Sequence, residues 1–510
     1  MNAPSTLAGP VESAYVFRHA LLRDAAYQLQ LPGDRARLHD LALTLIEDLC
    51  GGRAPEAAPL DAVAPQPFQP HASDAWAEEL VTHAQGAGAA APRRLYLRRG
   101  AEHRERRHQS EAAAVLWLRL AEASDGAARG EATRRAGMAY VHAGFLRLAE
   151  PRFQEALALQ RAGGWIHFEG LVLGDLGYLL RLTGQMDRSV AHFGEAVERL
   201  RQAGSRANEL LAIEGQACAL MEMGRVDEAE LALTKAKAIG LEKGHEGSLG
   251  SVQMNMATLY MDTGRRPEAE RVYQEALGVL RASGDRRREG VALSNFANLH
   301  RDDGRFEEAE RLYAEARAIA VETGDRRVEG VLLGQRAALF QSMEQLDRAE
   351  NGFLDSLSIH REVGNRRFEG IVLGQLANIR LDQKRFEEAG RGLQEAIAIH
   401  REVGNPRSEG IGFGNLARLF AETGRVDESL RTFEKALDFH ARVGNRRFAG
   451  IHGCDRALAL LAAGRADEAR EAWRKSAATL REIGDTQDLE FAVRAQREAC
   501  AKAGVAPLDE

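Results

Sequence analysis

The chain has 510 residues, 45% of them hydrophobic and 28% charged, with a formal charge of −7. That length and apolar content suffice for a large core and exclude a wholly disordered chain, a collagen-like fibre or a small disulfide scaffold. The acidic balance argues against nucleic acid as a partner, since a binder needs a basic footprint. No apolar run approaches the ~18 residues of a membrane helix, so a membrane is not an expected partner either.

Residues 1–50 read as a small helical unit: Tyr15-Val16-Phe17 has short-strand character, and residues 21–29 and 35–49 have helical patterns. The opening ten residues show neither a basic start nor an apolar stretch, so no signal peptide is expected. Residues 51–73 hold Pro55, Pro59, Pro65, Pro67 and Pro70 among Ala and Gly, and predict an irregular linker. Residues 74–164 predict degenerate hairpins, one around Ala101, Ala112, Trp117 and Leu120 and one around Ala136, Gly144, Ala149, Phe153 and Ala156.

From 165 to 484 the chain repeats eight times with a drift-free period of 40 residues. One small position reads Gly177, Ala217, Ala257, Ala297, Ala337, Ala377, Ala417 and Ala457. A bulky position reads Phe193, Leu233, Tyr273, Tyr313, Phe353, Leu393, Phe433 and Trp473. In the copy over 405–444, one helix is predicted at 407–422 and a second at 426–442, separated by Thr423-Gly424. Gly444-Asn445 closes the copy, with Asn445 as a candidate N-cap for the next helix. Such hairpins bury their apolar faces only by stacking on their neighbours. Residues 485–510 predict a polar capping helix and a tail.

These residues carry a resemblance. The order Leu416-Ala417, Phe420, Gly424, Ser429, Phe433, Ala436 resembles the tetratricopeptide (TPR) pattern, and Met256-Ala257, Tyr260, Gly264, Ala269, Tyr273, Ala276 matches it more closely. With linkers such as Gly324-Asp325-Arg326-Arg327-Val328-Glu329-Gly330, the copies resemble the 40-residue subclass of the Pins/LGN scaffold group and of bacterial regulators. The resemblance implies an all-α, right-handed superhelical solenoid of antiparallel helix hairpins with a small N-terminal helical unit. The stretch from Phe17 to Tyr27, Leu38-His39, and residues 79–83 are similar to the region that leads into TPRs behind the ATPase of large bacterial signal-transduction regulators. No G-x-x-x-x-G-K-[ST] phosphate loop is present, so the chain is expected to be the sensor or scaffold half of such a regulator, without its motor.

No pattern predicts catalysis or a cofactor. Cys50, Cys218, Cys454 and Cys500 stand far apart with no C-x-x-C pair, so neither disulfides nor zinc are expected and a cytoplasmic location is the default. His360, His400 and His440 share a register position, but equivalent residues in stacked helices are ~8–10 Å apart. One metal ion needs all its ligands at ~2 Å. Leu200, Leu280 and Leu480 occupy the same position elsewhere, so packing is the expected role. The Gly244, Gly247, Gly250 cluster follows no strand and predicts a turn. The arginine pairs Arg286-Arg287, Arg326-Arg327, Arg366-Arg367 and Arg446-Arg447 sit at the linkers; local i, i+3 pairing, as of Arg326 with Glu329 or Arg366 with Glu369, is the expected role, with an anion-binding ridge as the alternative.

Asn255, Asn295, Gln335, Gln375 and Asn415 hold one position of successive first helices, with Asn298 and Asn378 a turn later. A carboxamide offers donor and acceptor together, which matches a peptide unit whatever its side chains. In the TPR scaffolds that the chain resembles, the first helices line a concave groove and Asn at these positions binds peptide backbone. The expected function is therefore a non-enzymatic scaffold for a protein or extended peptide in bacterial signalling. The alternative is a ligand-sensing arm that regulates a P-loop ATPase or transcription factor in trans.

Overall fold

A computed structural model of the chain describes residues 27–63, 68–242 and 246–509. The strand expected at 15–17 and most of the helix at 21–29 lie outside the described residues. Among the described residues the protein is all-helical, with 23 α-helices and no strand. No described helix is long and apolar enough to cross a membrane.

Before the regular repeats come α1 (Pro32–Leu49), α2 (Ala77–Gly86), α3 (Ala90–Arg106), α4 (Ser110–Glu122), α5 (Gly126–Ala143) and α6 (Leu146–Gly163), with a short 3-10 helix over Ala72–Trp76. The repeats contribute α7 (Ile166–Leu182), α8 (Met186–Gln202), α9 (Arg206–Glu222), α10 (Val226–Gly240), α11 (Glu246–Asp262), α12 (Arg266–Ser283), α13 (Arg286–Asp302) and α14 (Phe306–Glu322). They continue with α15 (Arg326–Ser342), α16 (Leu346–Glu362), α17 (Arg366–Asp382), α18 (Phe386–Glu402), α19 (Pro406–Glu422), α20 (Val426–Arg442), α21 (Arg446–Ala462) and α22 (Ala466–Glu482). The chain ends on α23 (Thr486–Ala503).

Two compact units divide the chain. The first comprises residues up to 58 and 66–103, and buried polar pairs hold it together. Glu47 accepts from the Tyr96 hydroxyl at 2.8 Å and pairs with Arg53; Arg99 pairs with Asp74 at 2.7 Å and donates to the Gln69 carbonyl. Residues left unpaired at such burial would cost several kcal/mol each, on the order of 3–5.

The second unit, residues 59–65 and 104–510, is the repeat stack. A left-handed residue ends a helix about every 20 residues, because the helix stop needs positive φ and glycine supplies it without a Cβ clash. At Gly184 the amide bonds the Arg181 carbonyl and the next amide reaches back to Leu180, closing the turn. Glu344 and Lys384 hold the same conformation without being glycine, at φ 59 and 61. The side chains of Asp285, Asp325, Asn405 and Asp485 cap the helices that follow them. Asn445 occupies the cap position but makes no such bond; its amide lies 3.4 Å from His440 Nδ1 instead.

Packing follows the repeat. Ala297, Ala337, Ala377 and Ala417 have no exposed surface, and the bulky residues opposite are buried too. A Cβ built on Gly177 would lie 2.9 Å from the Phe193 ring, so the small residue is what admits the large one. Each first helix from α5 to α19 also approaches the next first helix, whereas no two successive second helices approach as closely. First helices therefore line the inner side of the curve and second helices the outer side.

The stack curls far enough for repeats remote in sequence to meet along a seam. The Leu146 amide bonds the Val403 carbonyl at 3.3 Å, and Arg327 donates to the His142 carbonyl at 2.6 Å. Arg407 pairs with Glu222 at 2.5 Å, and the space a Cβ would need at Gly184 is taken by Val443. Turns inside early hairpins thus rest on turns between later ones.

Candidate functional site

The inner face of the first helices presents three rows. The carboxamide row, Asn255, Asn295, Gln335, Gln375 and Asn415, is half-buried throughout and begins and ends in acids at Asp175 and Asp455. Asn298 and Asn378 are half-buried three residues on, in a row that also holds Tyr178 and Thr258. Four residues before the carboxamide register stand Leu171, Leu211, Val291, Val331, Ile371, Ile411 and Ile451, open to solvent in part and interrupted by Ser251. Residues four apart share a helix face, so this apolar row flanks the carboxamides along the stack. Sequence reading passed over it because apolar residues at helical spacing read as core; their shared register with a polar row was the available signal.

The carboxamides differ in what holds them. Asn255 donates to Glu214 at 3.0 Å, and Gln335 accepts from the Ser294 hydroxyl at 2.5 Å. Asn298 accepts from the Tyr313 hydroxyl at 2.5 Å, which leaves its amide hydrogens as donors. At the equivalent place of its own repeat Asn378 faces Leu393, which has no hydroxyl, and its Oδ1 is buried without a partner. Asn295, Gln375 and Asn415 make no hydrogen bond among the described residues. Burial pushes the Glu214 carboxyl up to about 7, against hydrogen bonds from Ser251 and Asn255 and the Arg288 charge.

The aligned histidines pack. His360, His400 and His440 are at most 4% exposed, and each ring fills the notch left by a glycine: Gly330, Gly370 and Gly410. Desolvation lowers all three to about 4, helped by Arg327, Arg367 and Arg407 respectively. His440 Nε2 lies 3.0 Å from His452 Nδ1, so one ring donates to the other.

The arginine pairs split by position. The first arginine of three pairs makes the expected local contact and also ties adjacent repeats, whereas Arg446, with Ala449 three residues on, makes only the inter-repeat bond to Glu482. Arg366 bonds Glu369 at 2.7 Å and Glu402 at 2.7 Å, and Arg286 and Arg326 repeat the arrangement with Glu289 and Glu322, Glu329 and Glu362. At the second position Arg327, like Arg407 of the next copies, reaches across the seam.

A tetratricopeptide repeat model matches residues 248–322 and 368–442, so the chain carries tetratricopeptide repeats. No curated protein matches the chain in sequence. Among solved structures it is similar to aspartyl phosphate phosphatase F from Bacillus subtilis, 14% identical, over 67% of this chain and 91% of that one, with a TM-score of 0.47. A Rap protein complexed with competence and sporulation factor is 13% identical over 66% and 98% of the two chains, with a TM-score of 0.44. The apo quorum sensor NprR from B. thuringiensis is 15% identical over 68% and 97%, with a TM-score of 0.42.

Proposed function

We propose that the chain is a non-enzymatic scaffold of bacterial signalling in the cytoplasm that holds an extended peptide or protein segment along its first helices. Asn255, Asn295, Asn298, Gln335, Gln375, Asn378 and Asn415 are its backbone-binding row. The observation that carries this reading is that Asn295, Gln375 and Asn415 recur at one register, half-buried and without protein partners. A bound backbone would exchange hydrogen bonds with successive repeats, each worth ~0.5–1.5 kcal/mol net. The apolar row beside them would select side chains.

Crosslinking mass spectrometry in native-host lysate, run with the parent and with Asn295→Ala/Gln375→Ala/Asn415→Ala, tests it. The variant should keep its helicity and lose crosslinks between the first helices and the partner segment. Unchanged crosslinks would move recognition to the arginine linkers or the N-terminal unit. A second reading, regulation of a P-loop ATPase or transcription factor in trans, is favoured by the N-terminal unit. Two stretches that carry that resemblance meet there, with His39 Nδ1 2.9 Å from His83 Nδ1.

A further inference from the structure

The inner face ends, at its N-terminal side, in a cavity of about 450 Å³. First helices α7 and α9 supply Phe168, Leu171, Tyr178 and Leu211 to its wall, and α5 supplies Glu131, Arg134 and Arg135. Leu171 and Tyr178 hold the register positions of Val291 and Asn298, so the cavity continues the groove rather than standing apart from it. Phe193 and Leu200 of α8 also line it, and the proline-rich stretch adds Leu60, Ala62 and Val63. Residues 59–65 belong with the repeat stack although the residues on either side of them belong to the first unit. A turn closed by the Ala62 amide on the Pro59 carbonyl, at 3.0 Å, precedes Val63, and Leu60 is only 8% exposed.

The cover does not fill the site. The void remains with Leu60 in place, and its volume is that of ordinary ligand pockets, ~300–1,000 Å³. Leu211, an apolar wall residue, is still 45% exposed. The charges in the wall are already matched: Arg134 bonds Glu131 at 2.7 Å and Asp175 at 2.5 Å, and Arg135 bonds Glu131 at 3.0 Å. A charged side chain entering here would find no free counter-charge and would lose its hydration. An apolar one would lose nothing and would cover Leu211.

We propose that this cavity is an anchor subsite for a large uncharged apolar side chain of the extended partner, and that residues 59–63 are a displaceable internal cover over it. The proposal rests on the groove-binding reading above and adds where the partner is anchored and what competes with it. A tethered segment competes at an effective concentration in the millimolar range, so the cover weakens any ligand that needs the same wall.

The test uses the full chain and a fluorescein-labelled peptide of its own residues 55–63 as probe, read by fluorescence anisotropy. The double variant Leu60→Ser/Val63→Ser should bind the probe at least tenfold more tightly than the parent. Adding Leu211→Asp, at an exposed position, should abolish that gain. Equal affinities for parent and double variant, no binding by the double variant, or binding indifferent to Leu211→Asp would each overturn the proposal. Circular dichroism melts check that all variants keep the stack. The carboxamide triple variant lies in later repeats and should bind the probe as its parent does. Loss of the subsite is thereby separated from loss of the groove reading.

Discussion

Replacing His360, His400 and His440 with leucine should remove much of the acid sensitivity of α16, α18 and α20, while His452, lowered by burial to about 3, stays in the variant. The folded pKa of the three replaced rings, about 4, lies below the ordinary histidine value, 6.5, because burial disfavours the charged ring. The unfolded chain therefore binds more protons than the folded one below pH 6.5. Stability fully present above that pH is lost as pH falls through about 4. At pH 5 the loss is about 2 kcal/mol for each ring, by linkage between those two values. Three rings in successive repeats then cost about 6 kcal/mol if they act independently. Leucine is the apt replacement because Leu200, Leu280 and Leu480 fill the same glycine notch in other copies. Whole-chain melts do not show which repeats respond. Hydrogen exchange of α16, α18 and α20 at pH 7.5 and pH 5.0, corrected for intrinsic exchange, is the appropriate assay. The parent should lose protection in these helices at pH 5.0 and the triple variant should keep much of it. Parallel losses in parent and variant would refute the reasoning and place the acid response elsewhere.

Ala377→Leu should destabilise its repeat by about 1–3 kcal/mol. The alanine has no exposed surface, and even a Cβ placed on Gly392 opposite would lie 3.1 Å from its own Cβ; an unchanged thermal midpoint would contradict that packing. Glu214→Gln should stabilise α9 and α11 above pH 7, by up to about 3 kcal/mol. The carboxyl is raised to about 7, so the folded state holds its proton and loses stability as pH rises from 4.5 through 7. Denaturant titrations at pH 5 and pH 8 should show the variant's advantage only at the higher pH, and an equal advantage at both would contradict the linkage.

Most of the fold was legible because the repeat is local physics applied many times. Small residues at 297, 337, 377 and 417, bulky ones at 313, 353, 393 and 433, and a glycine stop after most helices state one hairpin repeatedly. The helix expected at 407–422 runs Pro406–Glu422 and that at 426–442 runs Val426–Arg442. What stayed illegible depends on neighbours that a register position does not name. Asn445 reads as a cap, but His440 beside it takes the side chain. Asn298 and Asn378 read as equals, yet one meets a tyrosine hydroxyl and the other a leucine. Nor does a proline-rich composition say that Leu60 lies against α5, α7 and α9.

The seam is the clearest case of structure beyond the reach of periodicity, and its composition says how firmly the coil is closed. Each repeat adds a small rotation, and only their sum brings residue 222 to 407 and 142 to 327. The joint combines polar contacts, among them the Leu146–Val403 backbone bond, Arg327 on the His142 carbonyl and the Arg407–Glu222 pair, with apolar packing in which Val403 has no exposed surface and Val443 fills the space beside Gly184. Such an ion pair contributes ~0–1 kcal/mol, and a net hydrogen bond about 1 kcal/mol. Within a hairpin, by contrast, residues such as Tyr313 and Phe353 are wholly buried, and losing one side chain of that size costs about 3–5 kcal/mol. Salt weakens the ionic part of the seam first, and the packing of the buried valines is what then remains. A segment entering the groove from the side would have to displace the arginine contacts and also part the packing of Val403 and Val443, while the rows proposed to bind it stay fixed on the first helices.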